Sequence, residues 1–565
     1  MNLDPGGSPA ANSPVVVSGS GLRIEDLIRV SRRHAPVRMA ADPEVQVRLR
    51  ASSDWVRDAV ARGESIYGVT SGFGGMAHVA VAPEQAAALQ TNLLRFLRSG
   101  TGRRLSEAEV RAAMLLRANA LMRGASGIRP ELIERLVEFL NAGATPHVHE
   151  LGSIGASGDL VPLASIAGAL VGLDTTFRVD WRGETLDAPA VLERLGLPPL
   201  ALEAKEGLAL LNGTSVLTAI AAGCVHDGQT ALALTLAAHA LLMQGLAASN
   251  QPLHPFIHGH KPHPGQVFVA ARMLALLEGS GLIRDELDPH HNHPAGEGIQ
   301  DRYSIRCLPQ FLGPIVDGMA VIASQVEVEM NAATDNPLFD PAGGLCLHGG
   351  NFLGQYVAMG MDQLRQYLSL LAKHLDAQIA LLVEPAFNAG LPESLAGNPD
   401  RLVNMGLKGL QITGNSIMPL ICHLGQPLAD RFPTHAEQYN QNISSLGLGA
   451  ATLARQSLEL YQNYLAVALI FGVQAVDLRS RLHSGRCDAR AALAPVMVPL
   501  YEAVVALSGR QPKPGQPFLF NDDEQPLEWD LAAITADLRE GGSLAEAVTP
   551  LTTALRGHHP YARES

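Results

Sequence analysis

The sequence predicts a mainly α-helical protein, in which a large antiparallel bundle of long helices follows a smaller mixed α/β N-terminal region. Two observations predict this fold. Apolar side chains recur at spacings of three and four residues through 315–330 and again through 364–382, which is the period of one buried helix face. Up to about residue 205, short apolar segments instead alternate with glycine-rich turns, a pattern typical of short strands and helices. Because long alanine-rich helices pack closely side by side, the later part of the chain favours a bundle.

The chain divides along its length into four predicted segments. Residues 1–21 are rich in Pro, Gly, Ser and Asn and predict a flexible tail without the pattern of a signal peptide. We expect a mixed region at 22–205, which carries the glycine-rich turns, and a central bundle of long helices at 206–485. A proline-containing loop at 511–523 separates two helical stretches, so 486–565 is predicted to be a peripheral helical layer.

Two shorter stretches carry predictions of their own. Residues 177–186 predict a small hairpin. The most apolar stretch, 231–243, is interrupted by His239 and is shorter than the roughly 20 residues that a bilayer span requires. We therefore expect a buried bundle helix there and no membrane segment.

Composition and charge argue against several classes of protein. Hydrophobic residues make up 47% and charged residues 17% of the 565, which indicates a large ordered protein with much buried surface. A net charge of −13 argues against a nucleic-acid partner, whose phosphates require clustered Lys and Arg. The five cysteines are odd in number, widely spaced and without a CxxC pair. We therefore expect neither a disulfide framework nor a thiolate metal site, and we expect a cytoplasmic location.

The most distinctive local feature is a glycine-dense turn at 152–160, Gly-Ser-Ile-Gly-Ala-Ser-Gly-Asp-Leu, which leads into an apolar helix. If such a turn is compressed, the Gly158 nitrogen can attack the Ala156 carbonyl carbon, and loss of two waters leaves a five-membered ring. The Ser157 side-chain carbon then becomes an exposed methylidene, a strong electrophile that needs no imported cofactor. The same triplet also occurs at 125–127, and Gly and Ser are common in plain turns. The triplet alone therefore does not identify a ring.

Residues 152–164 resemble the ring-forming signature of the histidine, phenylalanine and tyrosine ammonia lyases and the related aminomutases, whose electrophile is a 4-methylidene-imidazol-5-one. Five other segments resemble the same family in order and approximate spacing, namely 67–75, 212–215, 300–307, 334–337 and 432–438. The resemblance extends from about residue 22 to residue 510. The chain most resembles the bacterial phenylalanine ammonia lyases of cyanobacterial type. This context selects Ala156, Ser157 and Gly158 as the ring-forming triplet.

The family resemblance also implies an architecture and an assembly. It implies a helical bundle of the fumarase/aspartase-like type, with the electrophile-forming loop in the mixed N-terminal region. It further implies a homotetramer in which several chains build each active site, and helix stripes longer than one subunit can bury agree with association. The ring would be the chain's own product, so no imported cofactor and no metal are expected.

Individual side chains receive roles from the same resemblance. Tyr67 matches the base that removes the substrate's β-hydrogen, for which the pKa of its phenol must fall from about 10. Arg306 matches the residue that binds the substrate carboxylate, a task suited to a planar guanidinium. Asn212 and Tyr303 match members of the catalytic set that hydrogen-bond the ring or the substrate. The predicted substrate-binding residues are Phe96, Leu97, Leu208, Gln300, Asn336, Phe352, Lys408, Glu437 and Gln441.

Within this family, substrate preference is associated with a residue pair after an Asn-Leu segment, which is Phe96-Leu97 in this chain. Histidine lyases carry Ser-His there, and tyrosine lyases usually carry a histidine first. An apolar pair leaves a phenol hydroxyl or an imidazole unpaired, at a cost of roughly 1–3 kcal/mol. We therefore expect L-phenylalanine as substrate, trans-cinnamate and ammonia as products, and some turnover of L-tyrosine. A phenylalanine 2,3-aminomutase and a tyrosine ammonia lyase stay open as alternatives.

Three other classes of function compete with this one. A metal hydrolase would use the histidines crowded at 254–263 and 290–293, but neither group has the HExxH or another known ligand spacing. Residues 414–419 resemble the signature loop of the fumarase and aspartase superfamily, yet Leu420 and Cys422 stand where its Lys and Asn belong. We interpret that likeness as shared architecture. A helical scaffold without activity would explain none of the polar motifs.

Overall fold

The structure is a computed structural model that describes residues 13–287 and 300–560. It is mainly helical, as predicted. Up to residue 211 its elements are β1 (Val15–Val17), α1 (Ile24–Arg33), β2 (Val37–Met39), α2 (Pro43–Ala61), α3 (Ala86–Phe96), β3 (Thr101–Arg104), α4 (Glu107–Leu121), α5 (Pro130–Ala142), β4 (Thr145–Pro146), β5 (His149–Leu151), α6 (Leu160–Val171), β6 (Arg178–Trp181), β7 (Glu184–Asp187), α7 (Ala188–Leu195) and α8 (Glu206–Leu211). From residue 215 onward they are α9 (Ser215–Gly245), α10 (Pro255–Gly259), α11 (Pro264–Leu277), α12 (Tyr303–Arg306), α13 (Leu308–Met330), β8 (Leu338–Asp340), β9 (Leu345–Leu347), α14 (Gln355–Val383), α15 (Lys408–Leu424), α16 (Gly447–Ser484), α17 (Val498–Ser508), α18 (Leu527–Glu540), α19 (Ser543–Ala547) and α20 (Thr549–Arg556).

Two compact units make up the chain, and each combines three separated stretches. The first unit contains residues 1–226, 322–362 and 427–455, and the second contains 227–321, 363–426 and 456–565. The four predicted segments are each continuous along the chain instead, so the division into four segments stays a prediction. The first unit holds all the strands of the described chain and the predicted ring-forming turn. In the second unit, the loop predicted at 511–523 separates α17 from α18.

The strands of the first unit form four small sheets. β1 pairs with β2 in parallel, whereas β3 with β5 and β8 with β9 are antiparallel pairs. In the sheet of β4, β6 and β7, the last two strands form the predicted hairpin, with Trp181 opposite Glu184. Its two loop residues, Arg182 and Gly183, have φ of 51° and 83°. This left-handed geometry matches the twist of strands joined by a two-residue loop.

The flexible tail predicted at 1–21 includes the ordered strand β1, so the prediction made the tail too long. In β1, Val15 and Val17 are 4% and 0% exposed. The N–H of Gly19 then donates to Asn119 Oδ1 at 3.0 Å. Alternating valines bury one face of a short strand, although the surrounding Pro, Gly and Ser are typical of a tail. Residues 1–12 lie outside the described residues.

The long helices bury the apolar stripes that their spacing predicted. At most 4% of each side chain is exposed at Ile315, Met319, Ile322, Val326 and Met330 of α13, and at Leu364, Leu368, Leu371, Leu375, Ile379 and Leu382 of α14. The stretch 231–243 lies within α9 and is buried, as predicted. Among the helices described, α13 is the one long and apolar enough to cross a membrane by length and composition, a property that buried core helices share.

Candidate active site

The predicted ring-forming turn packs against the start of α9 so closely that Gly158 has no room for a side chain. Gly158 has φ of 69° and pairs with Gly213 in an isolated parallel bridge. The Asp159 N–H donates to the Gly213 carbonyl oxygen at 2.7 Å. A Cβ on Gly158 would lie 2.2 Å from that oxygen. Glycine is therefore required here, both for the left-handed backbone and for the close approach.

Asp159, the residue after the triplet, connects the turn to α9. Its Oδ2 accepts from the backbone N–H groups of Val216 and Leu217 at 3.0 and 2.8 Å, which are donors that the first turn of a helix leaves unpaired. Its Oδ1 accepts from Ser153 Oγ at 3.1 Å. Burial raises the pKa of Asp159 to about 7 in spite of these hydrogen bonds. The turn is thus held by buried polar contacts on both sides of the triplet.

A cavity of about 850 Å³ opens beside this turn in the first unit. Eleven of the sixteen predicted site residues line it, namely Tyr67, Phe96, Leu97, Ala156, Ser157, Leu208, Asn212, Asn336, Phe352, Glu437 and Gln441. Gly158 is the next residue of the turn. The structure therefore brings together side chains from motif segments that are far apart along the chain.

Several residues of the cavity wall were not predicted. Met76 and Val81 follow the first motif segment and add apolar surface, and Asn440 and Asn442 flank the predicted Gln441. Each of them lies within a few positions of a predicted residue or motif. Extending every motif by several residues would have found them, because consecutive loop residues commonly line the same wall.

Tyr67 lines the cavity, and its hydroxyl oxygen accepts from the Gly74 N–H at 2.9 Å. Burial raises the pKa of Tyr67, the Gly74 hydrogen bond opposes that rise, and the negative charge of Glu437 adds to it. This direction is opposite to the one that a base needs. Its cause is burial beside a carboxylate, since no Lys or Arg is among the residues described as lining the cavity. A single chain therefore keeps Tyr67 neutral at neutral pH.

The segment that contains Gln441 approaches Ser157, and Gln441 Nε2 donates to Ser157 Oγ at 2.9 Å. Just before it, Glu437, Gln438 and Tyr439 have φ of 50°, 52° and 66°. Three successive residues thus adopt the left-handed conformation that side chains disfavour. Such residues cost on the order of 1–3 kcal/mol each and persist where surrounding contacts impose them, often at functional sites.

Asn212 lines the cavity with its amide orientation set by a buried ion pair. Its Nδ2 donates to the Asn336 carbonyl oxygen at 2.9 Å and to Asp335 Oδ1 at 3.3 Å. Asp335 also accepts from Lys205 Nζ at 2.8 Å, and both of these side chains are 0% exposed. Asn212 Oδ1 is buried and has no hydrogen-bond partner in the described chain. Because an unpaired buried acceptor costs about 1–3 kcal/mol, this atom is suited to accept a hydrogen bond from a bound molecule.

Four predicted site residues, Gln300, Tyr303, Arg306 and Lys408, belong to the second unit and do not line this cavity. Arg306 donates to Gln300 Oε1, and its guanidinium carbon lies 4.5 Å from the centroid of the Tyr303 ring. Arg306 Nε is buried and unpaired among residues 13–287 and 300–560, whereas Tyr303 is 71% exposed. Lys408 begins α15 and is exposed. Their part in the site stays a prediction.

The histidine-rich loop at 254–263 uses several of its rings in local hydrogen bonds. His258 Nε2 lies 3.0 Å from the Pro252 carbonyl oxygen, and Gln266 Nε2 lies 3.0 Å from His258 Nδ1. His254 caps the start of α10. In the part of the chain that is described, no group of three or more His, Cys, Asp or Glu side chains is placed to hold a metal ion. The histidines at 290–293 lie outside the described residues.

Comparison with known proteins shows similarity over nearly the whole chain. Residues 22–496 match the family described as aromatic amino acid lyase. The chain is 56% identical to the phenylalanine ammonia-lyase of Nostoc punctiforme, over 97% of this chain and 96% of that protein. It is 49% identical to the aromatic ammonia-lyase of Loktanella atrilutea, over 96% and 99% of the two chains. The solved phenylalanine aminomutase of Pantoea agglomerans superposes with a TM-score of 0.84 at 30% identity, over 94% of this chain and 100% of that one. The chain therefore belongs to the aromatic amino acid lyase family.

Proposed function

We propose that this enzyme is a phenylalanine ammonia lyase, which eliminates ammonia from L-phenylalanine to give trans-cinnamate. The observation that carries the proposal is the cavity of the first unit, which Ser157, Tyr67 and the apolar pair Phe96 and Leu97 line together. The 56% identity to the Nostoc punctiforme phenylalanine ammonia-lyase, over nearly the full length of both chains, supports the same substrate.

The electrophile in this proposal is the ring that the chain makes from Ala156, Ser157 and Gly158, with no imported cofactor. The residues fit its formation, because only glycine fits at position 158 and the serine borders the cavity. Closure joins the Gly158 nitrogen to the Ala156 carbonyl carbon, and two waters leave, one with the Ala156 oxygen and one with the Ser157 hydroxyl. When present, the ring supplies an electrophilic methylidene to the amino group of the substrate.

The side chains of the cavity divide the remaining tasks. We assign removal of the β-proton to Tyr67, whose hydroxyl lies in the cavity wall. Asn212 Oδ1, the buried acceptor without a partner, accepts an N–H from the substrate or from the ring. Phe96 and Leu97 enclose the phenyl ring by apolar contact, which accounts for the preference for phenylalanine over more polar amino acids.

A cation is needed in this arrangement, and in our proposal a second copy of the chain supplies it within a homotetramer with shared active sites. The substrate carboxylate and the ionised form of Tyr67 both favour a nearby positive charge, yet the described lining of the cavity contains no Lys or Arg. Arg306 has a buried, unpaired Nε beside the exposed ring of Tyr303. Its guanidinium can pair with a carboxylate through two parallel hydrogen bonds and lower the pKa of a nearby phenol. Gln300, which accepts from Arg306, orients that guanidinium.

The substrate range and the setting follow from the same features. Some turnover of L-tyrosine is expected, because an apolar pocket rejects an added hydroxyl only moderately. The structural similarity to a phenylalanine aminomutase keeps a 2,3-aminomutase as the second candidate, since that reaction begins with the same loss of ammonia. We place the enzyme in the cytoplasm and in phenylalanine catabolism, and the lack of a disulfide among the five cysteines, all within the described residues, is consistent with a reducing compartment.

Incubation of the purified protein with L-phenylalanine tests the proposal. We expect equal amounts of trans-cinnamate, measured by ultraviolet absorbance, and ammonia, with no β-phenylalanine detected by chiral chromatography. β-Phenylalanine as the main product would establish the aminomutase, and absence of both products would refute the proposal. Tyr67→Phe is the internal check, because it should keep the near-ultraviolet absorbance of the ring while losing elimination.

A further inference from the structure

A buried chain of hydrogen bonds in the second unit ends on α12, the turn that contains two predicted site residues. His374 Nδ1 lies 3.1 Å from His239 Nε2, and His239 Nδ1 lies 2.9 Å from Gln378 Oε1. Gln378 Nε2 then donates to the carbonyl oxygen of Ser304 at 2.7 Å. His239 and Gln378 are 0% exposed and His374 is 6% exposed. None of these three side chains has a part in the proposed reaction.

The direction of donation along this chain is determined from the Ser304 end. A carbonyl oxygen can only accept, so Gln378 presents its amide nitrogen to Ser304 and its oxygen to His239. His239 therefore donates from Nδ1 and accepts at Nε2 from His374 Nδ1. Burial lowers the pKa of His374 to about 4 and that of His239 well below its usual value, so both rings are neutral at neutral pH. The amide of Gln378 cannot flip without losing two buried hydrogen bonds.

The turn that receives this hydrogen bond is short, and one residue, Cys307, separates it from α13. α12 has four residues, and a helical turn of that length depends on its surroundings for stability. Among its other contacts are the buried side chain of Ile305 and, just before the turn, the guanidinium of Arg302, whose carbon lies 4.0 Å from the centroid of the Phe387 ring. Both are contacts of side chains. The hydrogen bond from Gln378 holds the backbone of the turn itself.

We propose that Gln378, oriented by His239 and His374, is a positioning residue that directs Arg306 toward the substrate carboxylate. The inference rests on the proposed function, because it takes Arg306 as the partner of that carboxylate. Ser304 precedes Arg306 by two residues in the same turn, so a shift of its carbonyl moves the backbone that carries the guanidinium. A displacement of about 1 Å in a binding group can cost on the order of a hundredfold in rate.

The test compares the dissociation constants of two ligands by titration calorimetry on the purified enzyme. trans-Cinnamate carries a carboxylate, and cinnamamide has the same shape without the charge. We expect Gln378→Met to weaken cinnamate binding about tenfold or more and cinnamamide binding by less than about twofold. Methionine is similar in length and volume to glutamine but makes neither hydrogen bond. Equal weakening of both ligands, or of neither, would overturn the proposal.

His374→Phe is the second variant, and it decides the question if Gln378→Met does not fold. Phenylalanine keeps an aromatic ring beside Phe311, whose centroid lies 4.8 Å from that of His374, and removes the outermost donor of the chain. We expect the same selective loss of cinnamate binding, but only about threefold, because the bond to Ser304 remains. A loss that is equal for both ligands would show that the histidine acts on folding alone and would contradict the proposal.

Gln266→Met is the matched control, since Gln266 is also a buried amide of the second unit and pairs with a buried histidine. It is 2% exposed, its Nε2 lies 3.0 Å from His258 Nδ1, and it makes no described hydrogen bond to α12. We expect both dissociation constants to be unchanged, and selective loss of cinnamate binding in this variant would also overturn the proposal. The proposed function fails separately, if the wild-type enzyme makes no cinnamate from L-phenylalanine.

Discussion

The triplet Ala-Ser-Gly occurs twice, and the copy at 125–127 shows how a plain turn uses the same residues. The carbonyl oxygen of Ala125 accepts from the Phe339 N–H at 2.9 Å. The N–H of Gly127 donates to Ser52 Oγ at 3.0 Å. The serine of this triplet is 2% exposed. Each group that a ring would use is therefore already engaged in a hydrogen bond or enclosed.

The copy at 156–158 has the same three residues, but its hydrogen-bond partners and its exposure to the cavity differ. The Ala156 carbonyl oxygen and the Gly158 nitrogen have no hydrogen-bond partner within residues 13–287 and 300–560, and Ser157 borders the cavity. At the two backbone atoms that react, closure there breaks no hydrogen bond, whereas at the other triplet it would break two, each worth about 0.5–1.5 kcal/mol. Loss of the Ser157 hydroxyl breaks the hydrogen bond that it accepts from Gln441. The proposed difference in reactivity between the two turns therefore has its basis in hydrogen bonding rather than in composition.

The largest expected effect comes from removing the hydroxyl of each serine in turn. Ser157→Ala should abolish the near-ultraviolet absorbance of the ring and reduce lyase activity by roughly a thousandfold or more, because the methylidene carbon comes from that side chain. Ser126→Ala is the matched variant and should leave both largely intact. Absorbance spectra and cinnamate formation measure the two effects. Reversed results would show that the ring forms at 125–127 and that its assignment to 156–158 is wrong.

Adding one methyl group to the last glycine of each triplet separates ring formation from stability. Gly158→Ala places a Cβ 2.2 Å from the Gly213 carbonyl oxygen, and Gly127→Ala places one 2.4 Å from Val56 Cγ2. Both positions have positive φ, so each variant should lose about 1–3 kcal/mol of the free energy of unfolding. We expect only Gly158→Ala to lose the two-water decrease in intact mass. Ring formation in that variant would contradict the requirement for close approach.

The residues that follow the two triplets differ in charge, and this difference predicts how the stability of the folded protein depends on pH. Burial raises the pKa of Asp159 to about 7, above the roughly 3.9 of an unfolded chain, whereas the other triplet precedes Ile128. The folded protein then keeps a proton that the unfolded chain releases. The stability contributed by Asp159 is therefore fully present below about pH 4 and is lost as the pH rises through about 7.

Denaturant unfolding at several pH values measures this dependence. Relative to Asp159→Asn, the free energy of unfolding of the wild type should fall between about pH 4 and 7 and then level off. If the free energy of unfolding of the wild type, relative to Asp159→Asn, rises with pH over the same window, the pKa of Asp159 is lowered in the folded protein.

The smallest expected effect concerns the hydrogen bond that occupies the inert triplet. Ser52→Ala removes the acceptor of the Gly127 N–H and should cost about 1–3 kcal/mol of stability, because a buried donor is left unpaired. No second ring should form, since the Phe339 N–H still holds the Ala125 carbonyl oxygen. Intact mass reports the number of waters lost per chain. A second pair of lost waters would show that the serine alone prevents closure at this triplet.

Much of the fold was predictable from local pattern. The stripes of α13 and α14 are buried as their spacing predicted, and the hairpin of β6 and β7 lies where its strands were expected. The strand β1 was missed because it pairs with β2, which lies about twenty residues further along the chain, and its three residues are too few to show a pattern of their own. Short strands depend on what pairs with them, which a local pattern does not contain.

Most residues of the candidate site could be predicted from the sequence, whereas the pKa of Tyr67 could not. Eleven of the predicted residues line one cavity, six of them from the motif segments, and several unpredicted residues of its wall lie close to predicted residues in the sequence. The pKa of Tyr67 depends on burial and on Glu437, a residue far away along the chain. Its direction in a single chain was therefore opposite to the one that the proposed role as a base requires.

The order of amino acids determined the long helices, the motif segments and the family of this protein, because each depends on residue types within a few positions of one another or on their spacing. It also marked two Ala-Ser-Gly triplets without distinguishing their backbone environments. Only the tertiary structure showed which of them keeps the alanine carbonyl oxygen and the glycine nitrogen unpaired. The physical reason is that the partners of Ala125 and Gly127, namely Phe339 and Ser52, reach them through packing of distant parts of the chain.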